Sequence, residues 1–163
     1  MTRETSKPNA GVRPLRTADL ERMIAIDQAH TGHARRRFFE KRFHAAERHP
    51  EDFIHLGVER DGTLLGFIFT RILHGEFGHE EPVAALDVVG VDPESEEHGH
   101  GHALMEGLAQ AMRQRGVRRL HSQAEWTNHK LLKFFESAGF ELASRMMLER
   151  AVSEPFAETA AEE

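Results

Sequence analysis

One stretch constrains the fold more than any other, Ala84 to Gln114, AALDVVGVDPESEEHGHGHALMEGLAQAMRQ. It begins with a short apolar run, Ala84 to Val91, rich in β-branched residues, which is the signature of a buried strand. Asp92-Pro93 ends that strand, because proline has no N–H for a ladder and restricts the residue before it. A polar loop with two glycines, Glu94 to Gly101, follows. Leu104, Leu108 and Met112 then recur at helical spacing, which predicts an amphipathic helix over 102–115. Strand, glycine loop and helix N-terminus together offer free backbone N–H groups and a helix dipole to an anion, typically a phosphate. The stretch therefore predicts a loop that holds the phosphates of a cofactor.

The rest of the chain must supply a sheet around that strand. With 163 residues it is long enough for one domain with a real core. Residues 1–11 read as a disordered leader and the acidic 153–163 as a disordered tail, leaving 12–152 as the domain. Val12 to Arg16 predicts a short first strand, Thr17 an N-cap, and Leu20 to about His30 a helix. Ala34 to Arg48 predicts a second helix, with Phe38, Phe39 and Phe43 at helical spacing on a core-facing side. Asp52 to Arg60 and Thr63 to Leu73 alternate as strands around Asp61-Gly62, a strong hairpin signal. A glycine-rich excursion, 74–82, leads into the organising strand. Past Gly116 the sequence predicts a strand over Val117 to Ala124, a helix from Trp126-Thr127-Asn128 to Ala138, and a last extended segment or hairpin over Phe140 to Val152. An antiparallel meander followed by a β-α-β-α-β unit makes this an α/β protein with a mixed sheet.

Composition removes several functions. There is no cysteine, which excludes disulfides, thiolate metal sites and a cysteine nucleophile. The formal net charge is −6, which argues against general nucleic-acid binding. No apolar run approaches the ~20 residues of a membrane helix. The N-terminus has no signal-peptide core, so the expected location is cytoplasmic. The alternation of His98, His100 and His102 would suit a metal ion only in an extended segment. His102 falls inside the predicted helix and no carboxylate–histidine pattern completes a zinc set, so no metal ligand is expected.

Three motifs, in order, resemble the GNAT superfamily of acetyl-CoA-dependent N-acetyltransferases, over roughly residues 12 to 150. They are VGVDP followed by EEHGHGHALM, the DG hairpin in VERDGTLLGFIF, and NHKLLKFFESAGFE at 128–141. The resemblance implies a GNAT fold in which the organising strand splays from its successor and the pantetheine arm of acetyl-CoA pairs with exposed backbone, here at Val89 and Val91. It implies that the pyrophosphate lies on the N–H groups of His98, Gly99, His100, Gly101 and His102, with His100 and His102 adding positive charge when protonated. Asn128 would contact the pantetheine, and Phe135 would pack beside the thiol. Two departures stand out: Glu96 occupies the place of a Gln or Arg, and Phe135 that of a tyrosine which protonates the departing thiolate. There is no tyrosine anywhere, so water or Ser137 would take that role.

On an alternating strand Asp87 shares a face with Ala85, Val89 and Val91, inside the cleft the resemblance implies. That makes it the candidate general base, against the plainer reading that it pairs with an arginine; Glu125, Glu76 and His121 are alternatives. The implied function is N-acetyltransfer from acetyl-CoA to a primary amine by direct transfer in a ternary complex. A non-catalytic acyl-CoA sensor on the same fold is the alternative. The expected partner is a small-molecule or peptide amine acceptor, with neither nucleic acid nor membrane, and a homodimer is left open.

Overall fold

A computed structural model describes residues 10–153. The expected disordered stretches, 1–9 of the leader and 154–163 of the tail, lie outside the described residues. Five strands form one sheet in sequence order: β1 (Gly11–Pro14), β2 (Phe53–Arg60), β3 (Thr63–His74), β4 (Pro82–Val91) and β5 (Leu120–Ser122). The first four are antiparallel neighbours, and β5 runs parallel to β4. Helices α1 (Leu20–Thr31) and α2 (Arg36–Arg48) precede β2. Helix α3 (His100–Gln114) crosses from β4 to β5, and α4 (His129–Ser137) follows β5. The Asp61-Gly62 turn has φ of 51° and 77°, the pair of positive values that matches the twist of a two-residue hairpin.

Each face of the sheet carries its own core. Leu104, Leu108 and Met112 of α3 pack with Val58, Ile68, Ile72, Ala84, Leu86 and Phe135 on one side. Met23, Ile24 and Ile26 of α1 and Phe39 of α2 pack with Leu64, Phe67 and Phe69 on the other. Phe39 touches Phe67 and Phe69 edge-on or tilted, with centroids 5.6 and 5.4 Å away, the geometry aromatic quadrupoles favour.

Several expectations shift. Thr17 opens a short 3-10 turn, Thr17–Asp19, instead of capping α1. The turn is held by Asp19, whose carboxylate accepts from the Arg16 N–H (2.7 Å) and the Arg13 guanidinium (2.8 Å). Helix α3 begins at His100, two residues earlier than expected, with Gly99 at φ 79° as its N-cap. Strand β5 is only three residues long, not Val117 to Ala124, because its ladder with β4 covers only Ala84, Ala85 and Leu86. Val117 is instead a buried part of the α3 core.

The expected extended segment or hairpin at Phe140–Val152 forms no strand among the described residues. Leu142 and Leu148 there are 93% and 88% exposed. A strand needs a neighbouring edge for its backbone groups, and this segment pairs with none among the described residues.

The alternation expected for the organising strand fails at Asp87. Phe69 pairs with Val88, whereas the next residue, Thr70, pairs with Leu86. Asp87 is therefore the extra residue of a β-bulge, and facing resets across it. Val88 packs with the α1–α2 core and Val89 with the α3 core. Asp87 points toward α2, so it does not share a face with Val89, as strict alternation would have it.

Candidate active site at the parting of β4 and β5

The short β5 creates the site. Beyond Leu86, where the Ser122 hydroxyl donates to the Leu86 carbonyl at 2.9 Å, β4 has no ladder partner on the β5 side as far as Val91 among the described residues. That leaves a backbone edge from Asp87 to Val91 next to a widening gap, an arrangement that can accept an extended ligand as an added strand. Val89 lies in the middle of this edge. At Val91 the carbonyl is already taken, since it accepts from His30 Nε2 at 2.5 Å.

The gap ends at the N-terminus of α3. Orphan N–H groups at the start of a helix favour an anion, and here they belong to His100, Gly101 and His102, because the Ala103 N–H already donates to Gly99. Nothing lies within 4 Å of the place where a Gly99 Cβ would be, so the backbone there is open to a ligand. Gly101 is different: a Cβ would come within 2.7 Å of the Phe134 ring. Its missing side chain admits α4 against α3, so close packing of the two helices accounts for this glycine.

Charge around the loop is balanced in a way the sequence reading did not anticipate. Glu96, in the loop before α3, receives Lys130 Nζ of α4 at 2.7 and 2.9 Å on its two oxygens. His30 Nε2 lies 3.7 Å away. Of the loop histidines, His100 is buried, and burial followed by the charge of Arg60 lowers its pKa below the usual value. That favours the neutral imidazole and disfavours the protonated form through which His100 would add positive charge. His102 stacks edge-on against Phe134 at 5.7 Å and lies 3.3 Å from the Ser137 hydroxyl. His98 lies on the His100 side, 6.1 Å between centroids.

Helix α4 contributes less polar chemistry than the resemblance implies. The Asn128 side chain accepts from the Leu131 N–H at 3.2 Å, so its oxygen caps the helix and only its amide N–H groups remain to meet a ligand. Phe135 is buried, 4.7 Å from Phe140, within the α3–α4 core. The Ser137 hydroxyl donates to the Phe134 carbonyl at 2.7 Å.

On the opposite face of the sheet, Asp87 is bound by two arginines. Arg71 grips it with two hydrogen bonds, Nε to Oδ2 at 2.7 Å and Nη2 to Oδ1 at 2.9 Å. Arg42 of α2 adds a contact of 3.5 Å. The arginine pairing set beside the base role is thus what the geometry contains. His121 sits opposite Ala85 in the ladder, and alternation from Leu120, which packs in the α3 core, turns it to the Asp87 side. Burial, then Arg145, Arg119 and His79, lower its pKa below the ordinary histidine value, so it is a neutral imidazole at pH 7.

An open β4 edge beside a glycine-led helix N-terminus is what the motif order promised, and the family model for the acetyltransferase (GNAT) family matches residues 17–140. The chain belongs to the GNAT acetyltransferase family. Among its relatives, a mycothiol acetyltransferase of Propionibacterium freudenreichii is 31% identical over 134 residues, covering 79% of this chain and 42% of that protein. Another, from Thermobispora bispora, is 39% identical over 51% of this chain and 28% of its own length. The chain thus spans less than half the length of these curated relatives. A ribosomal protein bS18-alanine N-acetyltransferase of Escherichia coli is 29% identical over 80% of both chains. In three dimensions, this GNAT domain matches aminoglycoside N-acetyltransferase AAC(6')-Iy in complex with CoA, with a TM-score of 0.72 at 18% identity over 91% of this chain and 98% of that one.

Sequence reasoning missed Lys130 and His30 beside Glu96, and Arg42 and Arg71 beside Asp87. Lys130 and His30 come from helices far from the loop in sequence, and no spacing rule ties them to Glu96. Arg71 had a weak signal: it stands on a strand two residues past Phe69, on the face that a hairpin would bring beside β4.

Proposed function

We propose that this chain is an N-acetyltransferase that moves the acetyl group of acetyl-CoA to a primary amine by direct transfer in a ternary complex. The observation that carries the reading is the unladdered edge of β4, Asp87 to Val91, ending at the open N-terminus of α3. In this reading the pantetheine arm pairs with the backbone around Val89, and the pyrophosphate lies over Gly99, His100, Gly101 and His102. Lys130 pairs with Glu96 through both carboxylate oxygens, which offsets the repulsion a lone carboxylate would exert there.

Acetyl-CoA supplies an activated thioester. The amine nitrogen attacks the carbonyl carbon, the C–S bond breaks, the amine loses one proton and the sulfur gains one. Both Asp87 oxygens serve Arg71, so the Asp87 carboxylate acts as the anchor of that arginine. The proton of the amine goes to His121, a neutral imidazole one residue before the β4–β5 ladder ends. The thiolate takes its proton from water, because Phe135 has none to give and the Ser137 hydroxyl is committed to Phe134.

A cytoplasmic site of action fits a chain without cysteine whose co-substrate is an intracellular metabolite. A homodimer fits the exposed apolar side chains of Leu142, Met146, Met147 and Leu148. The test of function is incubation of purified protein with acetyl-CoA and an amine panel, following free thiol with a disulfide dye. The chain has no cysteine, so the dye reads CoA alone. Thiol release with at least one amine is expected. Tight acetyl-CoA binding without release on any amine would leave the sensor reading in its place.

A further inference from the structure

We propose that Arg42 and Arg71 form an anion-binding pair on the acceptor side of the site, so that the amine substrate carries a negatively charged oxygen group. The inference rests on the acetyltransferase reading and names the class of acceptor it serves.

The two guanidinium groups reach the same carboxylate from different elements, Arg42 from α2 and Arg71 from β3. Their relations to Asp87 are unequal. Arg71 is satisfied by two hydrogen bonds, at 2.7 and 2.9 Å. Arg42 has only the 3.5 Å contact to Oδ2, too long to be a hydrogen bond of normal strength. One carboxylate faces two cations, and Arg71 uses both of its oxygens. Burial is the largest influence on Arg42, ahead of Asp87 and Arg71, and it disfavours the charged form.

Arg42 also holds a buried donor without an acceptor. Its Nε has no hydrogen-bond partner among the described residues, although the side chain as a whole is 26% exposed. A desolvated donor that makes no bond costs free energy that a partner would recover. Phe38 lies beneath the guanidinium, with its centroid 5.2 Å from Cζ, which supports a planar cation without quenching its N–H groups. The neighbouring His55 of β2 is neutral at pH 7, its pKa pushed down to about 4 by burial and then by the Arg42 charge. Its Nε2 is a second buried polar atom without a partner among the described residues. The groups facing Arg42 are therefore Asp87, Arg71, Phe38 and a neutral His55, and the balance there is one positive charge. Glu76 acts on Arg71 only weakly, after Asp87 and burial.

What this corner lacks is an anion with several acceptor oxygens. A carboxylate or a phosphoryl group meets an arginine fork with two parallel N–H···O bonds. Placed against the exposed edge of Arg42, such a group would supply the missing counter-charge. Arg42 is not locked onto Asp87, so it can turn to meet the ligand while Arg71 stays anchored. The carboxylate they share, Asp87, is the bulged residue of β4 where the unladdered edge begins, so an anion bound at Arg42 would hold the amine of the same molecule near the gap. A polycationic acceptor would meet repulsion at the same place.

Two measurements test this. The first compares matched acceptors by thiol release: β-alanine against its amide, ethanolamine phosphate against ethanolamine, and Ala-Glu against Ala-Gln. The acidic member of a pair should be favoured at least 10-fold in kcat/KM, chiefly through KM. Arg42→Gln should collapse that ratio toward one, while the neighbouring exposed Lys41→Gln keeps it. Equal use of both members, preference for the neutral or basic one, or an intact ratio in Arg42→Gln would overturn the proposal. The second measurement does not need turnover. Glutarate is titrated into the CoA-saturated protein while the arginine Nε–H resonances are followed by NMR. A saturable shift of the Arg42 signal supports the anion site even if no amine on the panel is acetylated. No shift at Arg42 up to high millimolar glutarate overturns it, whatever the assay of acetyl transfer shows.

Discussion

Lys130 of α4 holds Glu96 of the β4–α3 loop through both carboxylate oxygens, at 2.7 and 2.9 Å. The pair joins the loop that precedes α3 to α4 and sets a cation on the Glu96 carboxylate. Lys130→Met frees that carboxylate, so acetyl-CoA should bind on the order of 5- to 10-fold more weakly at low salt, and less so at high salt where screening is shorter-ranged. Glu96→Gln in the Lys130→Met background should restore most of the loss. Calorimetric titration of the single and double variants checks both statements.

Asp87 anchors Arg71 and balances Arg42, so its removal is first a problem of stability. Asp87→Asn leaves a half-buried guanidinium without its counter-ion, and urea unfolding should show a loss of about 2 kcal/mol. His121→Gln should instead leave the unfolding midpoint near wild type and lower kcat by 10-fold or more. The reverse pattern, a stable Asp87→Asn protein with a collapsed rate and a fully active His121→Gln protein, would return the base role to Asp87.

His55 makes the fold sensitive to acid. In the folded chain its pKa is about 4, and in the unfolded chain it takes the ordinary value near 6.5. Between those values the unfolded state binds the extra proton, so stability falls as pH drops from about 6.5 to about 4, by roughly 3 kcal/mol in total. Above pH 7 the contribution is fully present. His55 lies 4.0 Å from the Phe69 ring, so phenylalanine fits the site's chemistry, and His55→Phe should flatten the unfolding free energy between pH 7 and pH 4.5.

Gly99 and Gly101 separate two effects within one loop. Gly101→Ala sets a methyl group 2.7 Å from Phe134 and should lower stability by about 1–2 kcal/mol through strained α3–α4 packing. Gly99→Val meets no neighbour but forces a β-branched residue to φ 79°, at the turn that opens the helix N-terminus. It should weaken acetyl-CoA more than Gly101→Ala does, as paired melting and titration curves will show.

The exposed segment after α4 predicts self-association. Light scattering should give twice the mass of one chain, and Leu148→Glu should shift the distribution to single chains.

The element order through α4, both helical cores and the glycine turn that opens α3 were legible in the sequence because hydrophobic periodicity and glycine punctuation report local structure. Leu104, Leu108 and Met112 are buried on one face as their spacing demanded. The bulge at Asp87 was not legible, since one extra residue leaves the apolar pattern of AALDVVGV intact while reversing the facing of Val88 and Val89. The partners of Asp87 and Glu96 were equally hidden, because Arg42, Arg71 and Lys130 reach them through tertiary packing that no local pattern encodes. The segment from Phe140 to Val152 has strand composition, yet a strand requires an edge, and composition does not report whether the same chain supplies one.

The most direct test is an acetyl-CoA titration of 15N-labelled protein. Saturable amide shifts centred on 87–91 and 99–102, with little change at β1 or β2, are the predicted result. Saturable binding with shifts elsewhere, or no binding at millimolar acetyl-CoA, would contradict the placement of the cofactor along β4 and the N-terminus of α3.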